Sequence, residues 1–207
     1  MTELSRAVAK RVLDTVDAGL VRGMGEAVPG KMCVEAAVCY ALGIPHSDNP
    51  PCVGSAVRAY KVRINDARWS SDAARAKGLR RVAIAQLGSD TLDQREVADR
   101  LVIATVREAL PSILRRYGKE ADAVACEGVT TREAAKFAIR GARRALYAAA
   151  DAAARAFDAY AADAAAAADD DAARDEVLTQ AANRLERVLV EMGSPGAAWL
   201  DLAEAGA

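Results

Sequence analysis

Aromatic side chains are scarce in this chain: two Phe, two Trp and five Tyr make up 4% of its 207 residues. Alternating runs of Val, Ile, Thr and aromatics, the pattern of a half-buried strand, are missing as well, which argues against any substantial sheet. No apolar stretch approaches the roughly 20 residues of a membrane helix. The N-terminus mixes Glu3 with Arg6, Lys10 and Arg11 where a signal peptide would be apolar. A cytoplasmic protein with no membrane partner is therefore expected. Four cysteines are too few for a secreted disulfide framework at this length, so they are expected as reduced thiols.

What is abundant is alanine, together with helical periodicity. Leu4, Val8, Val12 and Val16 recur at helical spacing, and Gly19, Gly23 and Gly25 end the pattern, which predicts a helix over about 3–22. Further helices are predicted over about 32–42, 55–64, 72–87 and 172–192. Thr91 with Gln94, and Thr130 with Glu133, have the spacing of capping boxes. They open predicted helices over about 91–117, with Pro111 as a kink, and about 130–168. Trp199, Leu200 and Leu202 read as a plug docked on the rest. The expected fold is all-α, a compact multi-helix bundle with a long Ala-rich C-terminal helical arm.

Charge divides the chain in the same way. Residues 1–147 carry 24 basic and 17 acidic side chains, a net of +7, whereas residues 148–207 carry 4 and 12, a net of −8. The expected organisation is a basic helical body over 1–128 that includes a Cys/His loop, and an Ala-rich acidic arm over 129–207, packing on the body or extending from it.

The densest gathering of reactive side chains lies in residues 32–52, MCVEAAVCYALGIPHSDNPPC, with three of the four cysteines, the only histidine, Glu35 and Asp48. Cys33 falls at the start of a predicted helix, where the macrodipole and free N–H groups would lower a thiol pKa. A Cys33–His46 catalytic pair is one reading, although nucleophile and base lie unusually close in sequence. Zinc is another. Cys33 and Cys39 stand about 240° apart around a helix, so a shared ion would use Cys33, His46 and Cys52 with Asp48. In the third reading the cysteines are small core residues, and His46, Ser47 and Asp48 hold a proline-rich loop by hydrogen bonds.

Met32, Cys33, Tyr40, Gly43, Ser47, Asp48, Pro50, Cys52, Asn65 and Asp66 form a pattern, Met-Cys, then Ser-Asp-x-Pro-x-Cys, then Asn-Asp, spread over residues 29–69. It resembles a module of uncharacterised proteins of high-GC bacteria and their phages. The resemblance covers about a fifth of the chain, departs from that pattern at Glu35, where the acid is expected one residue later, and implies no activity.

Residues 54–82 form a basic belt. Arg58, Lys61, Arg63, Arg68, Arg75, Lys77, Arg80 and Arg81 face only Asp66 and Asp72, a net of +6, with Tyr60 and Trp69 interleaved. Such a run suits phosphate contact and base stacking, but no helix-turn-helix, zinc-finger or RNA-recognition signature accompanies it. The functional expectation is a non-enzymatic helical protein that binds a protein partner or itself. Two alternatives stand beside it: a nucleic-acid-associated protein of a phage or mobile element, and a thiol or metal site at Cys33, His46 and Cys52.

Overall fold

The computed structural model describes residues 3–147 and 171–204. It is 69% helical, and among the described residues the only β feature is an isolated bridge between Gly25 and Met32. The helices are α1 (Arg6–Asp17), α2 (Val34–Leu42), α3 (Ser55–Asn65), α4 (Asp72–Ala85), α5 (Gln94–Glu108), α6 (Leu110–Arg116), α7 (Glu120–Glu127), α8 (Arg132–Tyr147), α9 (Asp171–Glu191) and α10 (Asp201–Glu204). Short 3-10 turns at Ser89–Thr91 and Pro195–Trp199 precede α5 and α10. No helix among the described residues is long and apolar enough to cross a membrane.

Local chemistry sets the helix starts. Ser5 and Ser71 each accept the backbone N–H three residues on, at 3.4 and 3.0 Å, and Asp93 accepts those of Arg95 and Glu96 at 2.8 and 3.1 Å. Such caps stabilise a helix by about 1 kcal/mol each. Asp93 displaces the expected Thr91 cap: Thr91 sits in the preceding turn and donates its hydroxyl to the Gly88 carbonyl. Thr131, not Thr130, caps α8. The predicted helix over 91–117 is split at Ala109, because Pro111 occupies the first turn of a separate helix, where its missing N–H costs nothing. Helix α7 falls in a stretch where the sequence pattern gave no element. The predicted course of the 130–168 helix beyond Tyr147 lies outside the described residues.

Two apolar clusters hold the helices. The larger joins α1, α2, α3 and α4, the first half of α5 through Val97 and Leu101, and α9 through Leu178, Ala181, Ala182, Leu185, Val188 and Leu189. The smaller joins Val106 of α5 to Leu110, Leu114, Ala123, Cys126, Val129, Ala135 and Ala142, so it runs across residue 128. Helix α5 therefore belongs to both. Helix α9, read as part of an acidic arm, lies along α4 in the middle of the larger cluster. Small buried side chains on both helices, Ala76 and Ala83 of α4 and Ala181 and Ala182 of α9, suit this close contact. Behind α9, Ser194 Oγ donates to the Ala85 carbonyl at 2.6 Å and the Gly196 N–H to that of Leu87 at 2.7 Å, which seats Trp199, Leu200 and Leu202 against the core.

Candidate functional site

Residues 20–66 fold around the N-terminus of α2. Asn65 and Asp66, at the end of α3, make most of the ties. Asn65 accepts the Val34 N–H at 3.4 Å and donates to the Val21 carbonyl at 3.1 Å and to Asp66 Oδ1 at 2.8 Å; that same oxygen accepts the Gly23 N–H at 2.8 Å. Gly25, at φ +68, is needed because a Cβ there would meet the Lys31 carbonyl oxygen at 2.1 Å. Gly43, at φ +69, ends α2 in the left-handed conformation.

The proline-rich loop 43–54 is held by side chains. Ser47 Oγ accepts the Asn49 N–H at 3.1 Å, a local hydrogen bond of the kind expected of Ser47 and Asp48. Asp48 instead binds Arg58: its carbonyl oxygen accepts from Nε at 2.7 Å and its Oδ1 from Nη2 at 3.3 Å. The Cys52 carbonyl accepts the Gly88 N–H at 2.9 Å, and Pro50 is buried. Most residues of the Met-Cys, Ser-Asp-x-Pro-x-Cys and Asn-Asp pattern thus have a packing or hydrogen-bonding task here. Tyr40, 48% exposed, is the exception.

Cys33 does sit at the helix start, where its Sγ accepts the Ala36 N–H at 3.4 Å. Burial outweighs that interaction and pushes its pKa up. Burial raises Cys52 and Cys126 too, and Cys39, which also feels Glu35, reaches about 11. All four cysteines are free thiols. His46 points its Nε2 at the Gly25 carbonyl, 3.1 Å away. Among the described residues no three His, Cys, Asp or Glu side chains are placed to share one ion. The structure thus does not assemble Cys33, His46, Asp48 and Cys52 into one ligand sphere, because α2 and its loop turn them toward different neighbours. Thiol labelling of the folded chain at neutral pH is expected to be slow, with Cys33 no faster than Cys126. A Cys33 rate near that of the unfolded chain would contradict this assignment.

Sequence reasoning missed an ion pair inside this region. Lys61 Nζ lies 3.0 Å from Glu35 Oε1, with the two side chains 0% and 1% exposed. The contact is close in distance but poorly angled: neither carboxylate oxygen nor the ammonium has a well-formed hydrogen bond. Burial raises the Glu35 pKa and lowers that of Lys61, and each charge partly reverses the other's shift. The signal was present: Val57, Lys61 and Ile64 share one helical face, and Glu35 interrupts an otherwise apolar α2. Beside the pair is a cavity of about 110 Å³ lined by Gly23, Met24, Cys33, Glu35, Asp48, Val62, Asn65 and Asp66.

The basic belt is largely consumed internally. Lys61 is in the ion pair just described. Trp69 is 6% exposed, donates Nε1–H to the Ile64 carbonyl at 2.9 Å and lies against Gly78. Arg75 is buried, donating to the carbonyls of Asn65 and Leu20 at 2.8 and 3.0 Å and to Asp72. These three are withdrawn as phosphate and base contacts, since none can reach a ligand without unfolding its surroundings. Arg80 pairs with Asp17 at 2.7 Å and donates to the Ala203 carbonyl. Arg81 pairs with Glu186 at 2.7 Å and with Glu204 at 3.2 Å. Arg58 is held by Asp48, and Arg63, Arg68 and Lys77 project from the surface. Asp175 accepts hydrogen bonds from the N–H and hydroxyl of Ser70 and Glu186 pairs with Arg81, so α9 covers part of the belt within one chain.

Comparisons with protein-family models, with curated proteins and with solved structures give no match.

Proposed function

We propose that this chain is a non-enzymatic helical assembly protein that associates with a second copy of itself through the outer face of α8. The observation that carries the reading is Phe137, 74% exposed on that helix while Ala135 and Ala142 of the same helix are buried. A phenylalanine this exposed leaves its ring in water, and its burial against a partner would be favourable. Val102 of α5 and Val124 of α7 are exposed on neighbouring helices. The α8 sequence carries Arg132, Lys136, Arg140, Arg143 and Arg144 against Glu133, a net of +4, whereas residues 148–170, ahead of the acids that α9 and α10 pair within the chain, carry five acidic and one basic side chain, a net of −4. That complementarity favours another copy as the occupant.

Native mass measurement and sedimentation should find a dimer that weakens as salt rises, because exposed charges are screened within about 10 Å at 0.1 M. Phe137→Ser should raise the dissociation constant at least tenfold, since burying a Phe contributes about 1.5–3 kcal/mol. A monomer at every concentration and salt would refute the reading.

A further inference from the structure

Helix α8 carries a second oddity beside the exposed Phe137. Gly141 sits in its interior, one turn after that ring, and a Cβ added there would meet no atom of the described residues within 4 Å. An interior glycine costs a helix about 1 kcal/mol relative to alanine, and nothing packed inside the described chain requires this one. Ala134, one turn before the ring, is exposed as well. A ring flanked by two of the smallest residues on an open face suits a segment whose backbone lies close against the helix. Lys136 and Arg140 are exposed along one side of the ring. Arg132, one turn earlier, is taken by Asp99 at 2.8 Å, whereas Lys136 and Arg140 have no ion-pair partner among the described residues.

Charge decides what can lie there. Another α8 is a poor occupant, because its net of +4 would face the same +4. The acids of α7, α9 and α10 are mostly taken: Arg115 holds Glu120 and Glu127, Arg81 holds Glu186 and Glu204, and Arg6 holds Asp201. Residues 148–170 differ in sequence. They carry Asp151, Asp158, Asp163, Asp169 and Asp170 against Arg155, and they include Phe157, the other phenylalanine of the chain, with Tyr160 close behind. Connectivity favours exchange between copies. Residue 148 directly follows the end of α8, so covering Phe137, about 15 Å back along the helix, within one chain needs a tight reversal there. Neither Gly nor Pro, the residues that best shape such a turn, occurs in residues 142–170.

We propose that residues 148–170 of each copy lie along the outer face of α8 of the other, their aspartates meeting Lys136 and Arg140 and their aromatic side chains meeting Phe137 over Gly141. The contact is reciprocal, so the dimer is closed and each surface is used twice. The inference rests on self-association through α8 and names the segment that makes it.

The test reverses charge on one surface at a time in the full-length chain and reads mass under native conditions at low salt. Lys136→Glu with Arg140→Glu reverses the α8 side, and Asp151→Lys with Asp158→Lys reverses the segment. Each double variant alone should dissociate at least tenfold more readily than the parent. An equal mixture of the two should form a heterodimer of mixed mass about as tight as the parent dimer, because every contact then joins opposite charges. A parent chain that stays monomeric overturns self-association itself, and this assignment with it. A parent dimer that Phe137→Ser weakens but the aspartate variant leaves unchanged overturns the segment assignment alone and keeps α8 as the interface. Absence of the heterodimer, with both variants shown by circular dichroism to be folded, overturns the assignment too. A synthetic peptide of residues 148–170 gives a readout that needs no variant. In large excess it should displace the parent dimer into peptide-bound monomers, and a dimer that ignores the peptide would overturn the proposal.

Discussion

Cutting the chain after Tyr147 is expected to abolish its cooperative unfolding transition, not to uncover a basic belt. Reading the acidic residues 148–207 as a detachable arm leads to the opposite expectation, a folded body with a free polyanion-binding surface. The burial of α9 decides between them. Leu178, Leu185, Val188 and Leu189 are each at most 3% exposed in the larger cluster. At about 1.5–3 kcal/mol for each such side chain, these four alone approach the roughly 5–15 kcal/mol by which a whole domain is stable. The cut also strips Arg81 of Glu186 and Glu204 and Arg80 of the Ala203 carbonyl. Exposed pairs of that kind contribute at most about 1 kcal/mol each, so the loss is dominated by the apolar face. Thermal scans by circular dichroism should show reduced ellipticity and no sigmoidal melt. A truncated chain that melts cooperatively within a few degrees of the full one would show that α9 is dispensable. Polyanion binding by a truncated but unfolded chain would report only its net charge of +7.

Removing either member of the buried pair should be nearly as damaging. Glu35→Ala leaves the Lys61 ammonium in the core with no opposing charge, and Lys61→Met does the same to the carboxylate. Each single substitution is expected to cost about 3–5 kcal/mol in urea unfolding, the usual result of stranding a buried charge. The double replacement Glu35→Leu with Lys61→Met removes both charges and adds apolar volume. It should fall within about 1 kcal/mol of the parent or exceed it, giving a large coupling energy in the double-mutant cycle. Single variants that each cost under about 1 kcal/mol, or costs that simply add, would show that the two groups do not meet in the core.

Most helices were legible because their signals are local. The apolar spacing of Val8, Val12 and Val16, the turn chemistry around Gly43 and Pro45, and serine and aspartate at helix starts all act within a few residues. Where two local signals competed, the sequence pattern chose less well. Thr91 and Asp93 both suit a cap, and Asp93 prevails because its carboxylate reaches two N–H groups at once. Helix α7, only eight residues long, lacks a side-chain cap and is fixed by its contacts with α6 and α8.

The candidate site was legible as a place but not as chemistry. The crowding of Cys33, His46, Asp48 and Cys52 marks the region around the cavity, yet the pKa of Cys33 depends on the competition between a helix terminus and burial, and only packing sets the second. The basic belt shows the same limit. A run of arginines records charge, but whether Arg81 meets solvent or Glu186, 105 positions away, is not a property of the run.

By itself, then, the sequence determined an all-helical chain, the ends of most of its helices and the segregation of charge, because periodicity, capping and composition are short-range properties. The tertiary structure alone decided that α9 lies inside the main core, that Lys61 faces Glu35 out of water, and that Trp69 is a core residue instead of a stacking platform. Each of these is a long-range contact whose free energy depends on what else is excluded from water at that point, and no window along the chain contains both partners.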